Sequence, residues 1–156
     1  MTAVKAVLLG GLTVAVLDIA DAIIYYGFLG ATPIRIFQSI AVGVLGRSSY
    51  YGGIATALLG AALHCLISLT IVLVLYLAAA RYPTLVGRPW VAGPIYGLGV
   101  YGVMYLVVLP LSRVGMPHFN HPGTVADEVL IHIFGVGIPA ALFVRAAGPA
   151  RAVTGS

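Results

Sequence analysis

The sequence predicts an all-α, polytopic membrane protein: a four-transmembrane-helix bundle with a short amphipathic or re-entrant helix between the first and second spans. Three observations carry that expectation. Of 156 residues, 61% are hydrophobic and 8% charged, against about 25% charged in soluble domains, and the mean hydropathy is +1.09. Four apolar runs each reach the roughly 20 residues that cross a hydrocarbon core as a helix. Aromatic and basic residues gather at their ends, as they do at membrane interfaces. The runs and their connections use nearly all of the sequence, so a single membrane domain over 1–156 is expected, with no room for a separate soluble one.

The first span is read over about 6–29. Lys5, an apolar run from Ala6 to Leu17, and then Ala20-Asp21-Ala22 imitate a cleaved secretory leader. The apolar stretch resumes through Ile23, Ile24, Phe28 and Leu29, and about 24 residues is spanning length rather than leader length, so a retained helix is expected. Next, Thr32-Pro33 is a cap and first-turn pair for a helix over about 33–46. At about 13 residues that helix is too short to span. It sets Arg35, Gln38 and Ser39 among Ile34, Ile36, Phe37, Ile40 and Val42, which favours a position on the membrane interface over a re-entrant fold-back.

The second, third and fourth spans are read over about 53–80, 91–111 and 125–144. Tyr25, Tyr26, Tyr50, Tyr51, Tyr82 and Trp90 fall near span boundaries, where amphipathic rings settle at headgroup level. Pro83, Pro89, Pro117 and Pro122 lie in the connections, where a missing backbone donor costs least. Pro94 stands near the start of the third span, whereas Pro139 falls inside the fourth and frees the carbonyl of Gly135, predicting a kink between Gly135 and Pro139. Gly53, Ala57 and Ala61, and again Gly93 and Gly97, repeat small residues at four-residue spacing. That pattern lets helices approach closely within one bundle. The single cysteine, Cys65, excludes an intramolecular disulfide and reads as a buried thiol.

A net charge of +4 does not point to nucleic acid, because the basic residues stand singly at the ends of apolar runs as anchors. Lys5, Arg81, Arg88, Arg145 and Arg151 share one side, and Arg35, Arg47 and Arg113 the other. The excess predicts both termini in the cytoplasm. No internal repeat marks a transporter of the inverted-repeat kind.

The bilayer does not explain one feature. Asp18, Asp21, Asp127 and Glu128, all the acidic residues, and His64, His118, His121 and His132, all the histidines, fall in the outer half of the chain as read here. At 1.5 Å of rise per residue, Asp18 and His64 each lie roughly 16 Å below the outer ends of their spans, and Asp21 and His132 about 11 to 12 Å below theirs. Two acid and imidazole pairs at matched depth follow as expectations. Asp18 with Asp21, His64 with Ser68, and Glu128 with His132 are each spaced to share a helical face. An ionised Asp near a helix centre costs about 2.5 to 3.5 kcal/mol, against about 0.3 to 0.6 gained per Leu, Ile, Phe or Val. With 12 such residues the first span roughly breaks even, so its aspartates are expected to face protein or water, and intramembrane residues of this kind are candidates for function.

Four readings fit these residues. Proton- or cation-linked transport or sensing would use histidine, which titrates near neutral pH, with Asp18 or Asp21 as its partner, and Asp127 in support. A structural network would pair the aspartates with Arg35, Arg47 or Arg113 to fix helix packing. Zinc or iron would suit His64, Glu128 and His132, although no complete Glu-x-x-His or His-Glu-x-x-His pattern is present. Haem would need His64 and His132 as axial ligands, at depths differing by about 4 to 5 Å. His118 and His121, in a proline-rich outer loop, read as solvated. Enzymatic chemistry has little support: no nucleophile elbow and no phosphate-binding glycine loop occurs. Besides the lipid bilayer, a homo-oligomer is an expected partner, because four short helices leave little room for a central pathway; the ion or small-molecule ligand is left open.

His64 with Ser68, Pro83 nineteen residues after that histidine, Pro110-Leu111 closing the next span, Pro117 seven residues later, and Glu128 four before His132 together resemble the YagU-like inner-membrane proteins of bacteria. The resemblance covers about residues 64–132. It implies a bacterial inner-membrane location and supplies no reaction, and nothing in it bears on Asp18 or Asp21.

Overall fold

A computed structural model describes residues 1–116 and 121–148. It contains five helices among the described residues: α1 (Ala3–Phe28), α2 (Pro33–Leu45), α3 (Gly53–Arg81), α4 (Pro89–Leu111) and α5 (Pro122–Ala147). Short 3₁₀ turns at Gly46–Tyr51 and Pro83–Val86 join α2 to α3 and α3 to α4. Four of the helices, α1, α3, α4 and α5, are long and apolar enough to cross a membrane. The chain is therefore an all-α four-helix bundle of multi-pass membrane type, with α2 as the short fifth element.

Local chemistry sets these boundaries. Thr2 and Thr32 cap α1 and α2 by accepting from the backbone N–H groups of Lys5 and Arg35, each at 3.3 Å. Prolines open α2, α4 and α5 in the first turn, where the lost donor has no partner to miss. The amino terminus donates to the Ala146 carbonyl at 3.3 Å, so the start of α1 and the end of α5 lie together at one end of the bundle.

At that same end sits a core of small residues: Val14 of α1, Val72 and Ala79 of α3, Val100 of α4, and Ala140, Ala141 and Val144 of α5. Small side chains suit a bundle in lipid, where close van der Waals packing replaces the hydrophobic drive between helices. Glycines also bring α4 close to α5, where Gly93 lies against Gly137 and Ile138 and Gly97 lies against the His132 carbonyl. Gly93 and Gly97 thus serve packing within the chain. Cys65 is only partly buried.

α2 is bound to the bundle along one face, burying Ile36, Gln38, Ala41 and Val42. Phe37 meets Gly60, which stands seven residues into α3 and so roughly 10 Å from its start. Buried Gln38 donates to the Gly53 carbonyl at 3.0 Å, and Ser49 donates to the Gln38 carbonyl at 2.6 Å. On its other flank the Gly43 carbonyl accepts from Arg113 N–H at 3.0 Å.

Two helices change pitch. Met104–Val108 in α4 and His132–Gly137 in α5 are π turns, and each ends two residues before a proline, Pro110 and Pro139. A proline cannot donate to the carbonyl four residues earlier and crowds it; a wider turn relieves that conflict, and such bulges concentrate at functional sites. The expected irregularity before Pro139 takes this form, and Pro110 produces a second one that the sequence reading treated only as the end of a span.

Candidate functional site

The four carboxylates gather between α1 and α5, at the end of the bundle away from the amino terminus. Asp18, Asp21, Asp127 and Glu128 are each half-buried. The carboxyls of Asp21 and Asp127 lie within hydrogen-bonding reach of each other, and Asp18 stands close enough to Asp21 for its charge to be felt. Helix periodicity brings this about: Asp18 and Asp21 are one turn apart on α1, and α5 crosses that face with its own second turn.

Tyrosines enclose Glu128. The Tyr26 hydroxyl donates to Glu128 Oε1 at 2.7 Å, a short, charge-assisted length. Tyr105, from the π turn of α4, is a second phenol within hydrogen-bonding reach of the same carboxylate. Tyr25 and Thr124 share a hydroxyl–hydroxyl bond of 3.0 Å, tying α1 to α5 one turn farther out. Tyr101 stacks on Tyr105, with ring centroids 4.4 Å apart, and meets the His132 ring edge-on at 5.4 Å. Its buried hydroxyl has no protein partner among the described residues.

The histidines occupy separate places. His64 Nε2 lies 2.9 Å from the Ala15 carbonyl; a carbonyl only accepts, so this nitrogen carries the proton. The same nitrogen is 3.9 Å from Asp18 Oδ2, an ion-pair distance but too long for a hydrogen bond. The matched depths of Asp18 and His64 thus do bring them together. His132 Nδ1 lies 2.7 Å from the Glu128 carbonyl one turn earlier on its own helix and is likewise the donor. The expected Asp21 and His132 pair is replaced: Asp21 faces Asp127, while His132 turns its ring to Tyr101. Similarly, the Glu128 and His132 pair meets through the backbone carbonyl, not the carboxylate. Ser68 donates to the His64 carbonyl at 2.9 Å and so serves its own helix.

The cationic partners expected of a structural network are elsewhere. Arg35 lies over the Tyr50 ring, 3.7 Å from its centroid, Arg47 is exposed, and Arg113 sits beside Gly46. Among the described residues, the contact between His64 and Asp18 is the sole ion pair, and no Lys or Arg lies within 4.0 Å of any carboxylate. Nor do His64, Glu128 and His132 converge as metal ligands, since no group of three or more His, Cys, Asp or Glu among the described residues is placed to hold an ion. His64 and His132 each commit a ring nitrogen to a backbone carbonyl, of Ala15 and Glu128 respectively. His121 precedes α5 without capping it; His118 lies outside the described residues, as does Arg151 of the topology count.

Sequence reasoning missed the phenols. Tyr25 and Tyr26 stand near a span boundary as expected, and their hydroxyls also bond to Thr124 and Glu128 of α5. Tyr101 and Tyr105 carried a usable signal, two phenols four residues apart inside an apolar span and so on one helical face. No protein-family model, no curated protein and no solved structure matches this chain.

Proposed function

We propose that this chain is a proton- or cation-linked transporter or sensor of the bacterial inner membrane, with Asp21 and Asp127 as its working pair. One observation carries the reading: two carboxyls from different spanning helices lie within hydrogen-bonding reach, with no Lys or Arg within 4.0 Å among the described residues. Two carboxylates so placed repel unless a proton or a cation sits between them. A proton asks least of the surroundings, since the neighbouring ligands do not form a set of three.

The surroundings support exchange at this pair. Asp18 with His64, and Glu128 with its two phenols, place further ionisable groups within a turn of it. The Tyr101 hydroxyl is a donor with no partner among the described residues. Both π turns border this region, where they loosen the helices that carry Tyr105 and His132. The Lys and Arg count supports termini in the cytoplasm, and the YagU-like resemblance supports a bacterial inner membrane. A homo-oligomer supplies the room for a pathway that four helices lack.

Proteoliposomes with a pH-sensitive dye inside test this. Wild-type protein moves protons down an imposed gradient, with or without a countercation, and Asp21→Asn and Asp127→Asn each abolish the movement. A second reading, in which the cluster only fixes helix packing, is favoured by the bonds from Tyr26 to Glu128 and from His64 to the Ala15 carbonyl. It gains the field if wild-type protein moves nothing and the two variants change detergent stability alone.

A further inference from the structure

At the opposite end of the bundle from the carboxylates, a groove of about 680 Å³ opens between the last turns of α3 and the first turns of α4. That volume falls in the usual range of small-molecule sites, about 300 to 1,000 Å³. Leu75, Val91 and Ile95 make its walls apolar, and Thr84 and Arg88 stand at its rim. At the inner end, the Tyr96 hydroxyl donates to the Ile71 carbonyl at 2.6 Å and ties α4 to α3. Leu75 and Tyr96 join the groove to the apolar core behind it.

Charge selects the occupant. Arg88 is exposed and has no carboxylate within 4.0 Å among the described residues, and every acidic residue of the chain is at the far end. It adjoins the first turn of α4, which has no side-chain cap and presents its positive pole. Arg81, by contrast, is outside the groove and lies near the Tyr82 ring. An apolar slot along spanning helices with an unpaired cation at its membrane-surface end matches an acyl chain joined to an anionic headgroup. We infer that an anionic phospholipid seats one acyl chain in this groove with its phosphate on Arg88. The inference rests on the membrane-spanning fold and is independent of the proposed proton chemistry.

Trp90, the only tryptophan of the chain, is exposed in the first turn of α4, two residues after Arg88, and reports on lipid near the site. The experiment places the full chain in phosphatidylcholine vesicles containing a minor fraction of brominated phosphatidylglycerol, and in matched vesicles where the bromine is on a minor fraction of phosphatidylcholine. Quenching of Trp90 is expected to saturate at a lower fraction of the brominated anionic lipid. Arg88→Gln should weaken that preference roughly fivefold, the effect of one basic residue at an anionic surface, while Arg88→Lys retains most of it and Arg81→Gln leaves it unchanged. Equal quenching by the two brominated lipids overturns the inference. So does an equal loss from Arg81→Gln and Arg88→Gln, which would mean a diffuse attraction by the whole basic end.

Discussion

Alanine at Gly97 should separate α4 from α5 and disturb the carboxylate site from a distance. A Cβ built there falls on the His132 carbonyl oxygen, 2.8 Å from the carbonyl carbon and 3.1 Å from Ile133 Cα. Ordinary contacts begin at 3.4 Å, so the carbon alone demands a shift of about 0.6 Å and the oxygen more. Every atom in the way is backbone, so no rotamer change relieves the clash. Overpacking of this sort costs about 1 to 3 kcal/mol, occasionally more, and it exceeds the gain of up to about 1 kcal/mol from replacing glycine by alanine in a helix. Gly99, two residues on, is the control, because a Cβ there meets nothing within 4 Å. Denaturation in mixed detergent micelles, followed by circular dichroism, should show Gly97→Ala destabilised by about 1 to 2 kcal/mol and Gly99→Ala unchanged or slightly stabilised. The proteoliposome assay should show Gly97→Ala slowed, since Tyr101 and Tyr105 move with α4 away from Glu128. Equal stabilities for the two variants would refute the close approach of these helices.

Two further substitutions probe contacts around and beside the site. Tyr26→Phe removes a 2.7 Å hydrogen bond to Glu128 and should cost about 0.6 to 2 kcal/mol, the range for polar contacts between membrane helices; the same micelle titration measures it, and an unchanged midpoint would mean that this bond is not formed. Gln38→Leu removes a buried amide that bonds the Gly53 carbonyl at 3.0 Å and should destabilise by about 1 to 3 kcal/mol, with faster proteolysis between α2 and α3 as the direct readout.

Much of the fold was legible because the bilayer simplifies the code. A spanning helix must be about 20 apolar residues long, and the readings of 6–29, 53–80, 91–111 and 125–144 fall within three residues of the helix ends at α1, α3, α4 and α5. The short helix after the first span was read from Thr32-Pro33, and that cap is formed. Depth arithmetic found Asp18 and His64, whose helices pack directly. It failed for Asp21 because depth is only one coordinate. Several groups sit near that level, and the rotation of α5 about its axis, which turns Asp127 and not His132 toward α1, is set by packing at Gly93, Gly97 and Gly137. The phenols were hidden for a related reason. Tyrosine at a span boundary suits either lipid headgroups or a buried acceptor, and only the neighbouring helix decides between them. Pro110 gave no hint of its π turn because a proline near the end of a span also reads as simple termination.

The central claim is that Asp21 and Asp127 act as one unit, and a double-mutant cycle tests it most directly. Asp21→Asn, Asp127→Asn and the double variant are compared with wild type by unfolding in mixed micelles. Side chains in contact give coupling energies of about 0.5 to 3 kcal/mol, and a shared proton or cation predicts that the second substitution adds little once the first is made. Stability changes that add within about 0.3 kcal/mol would mean that the two carboxyls do not meet.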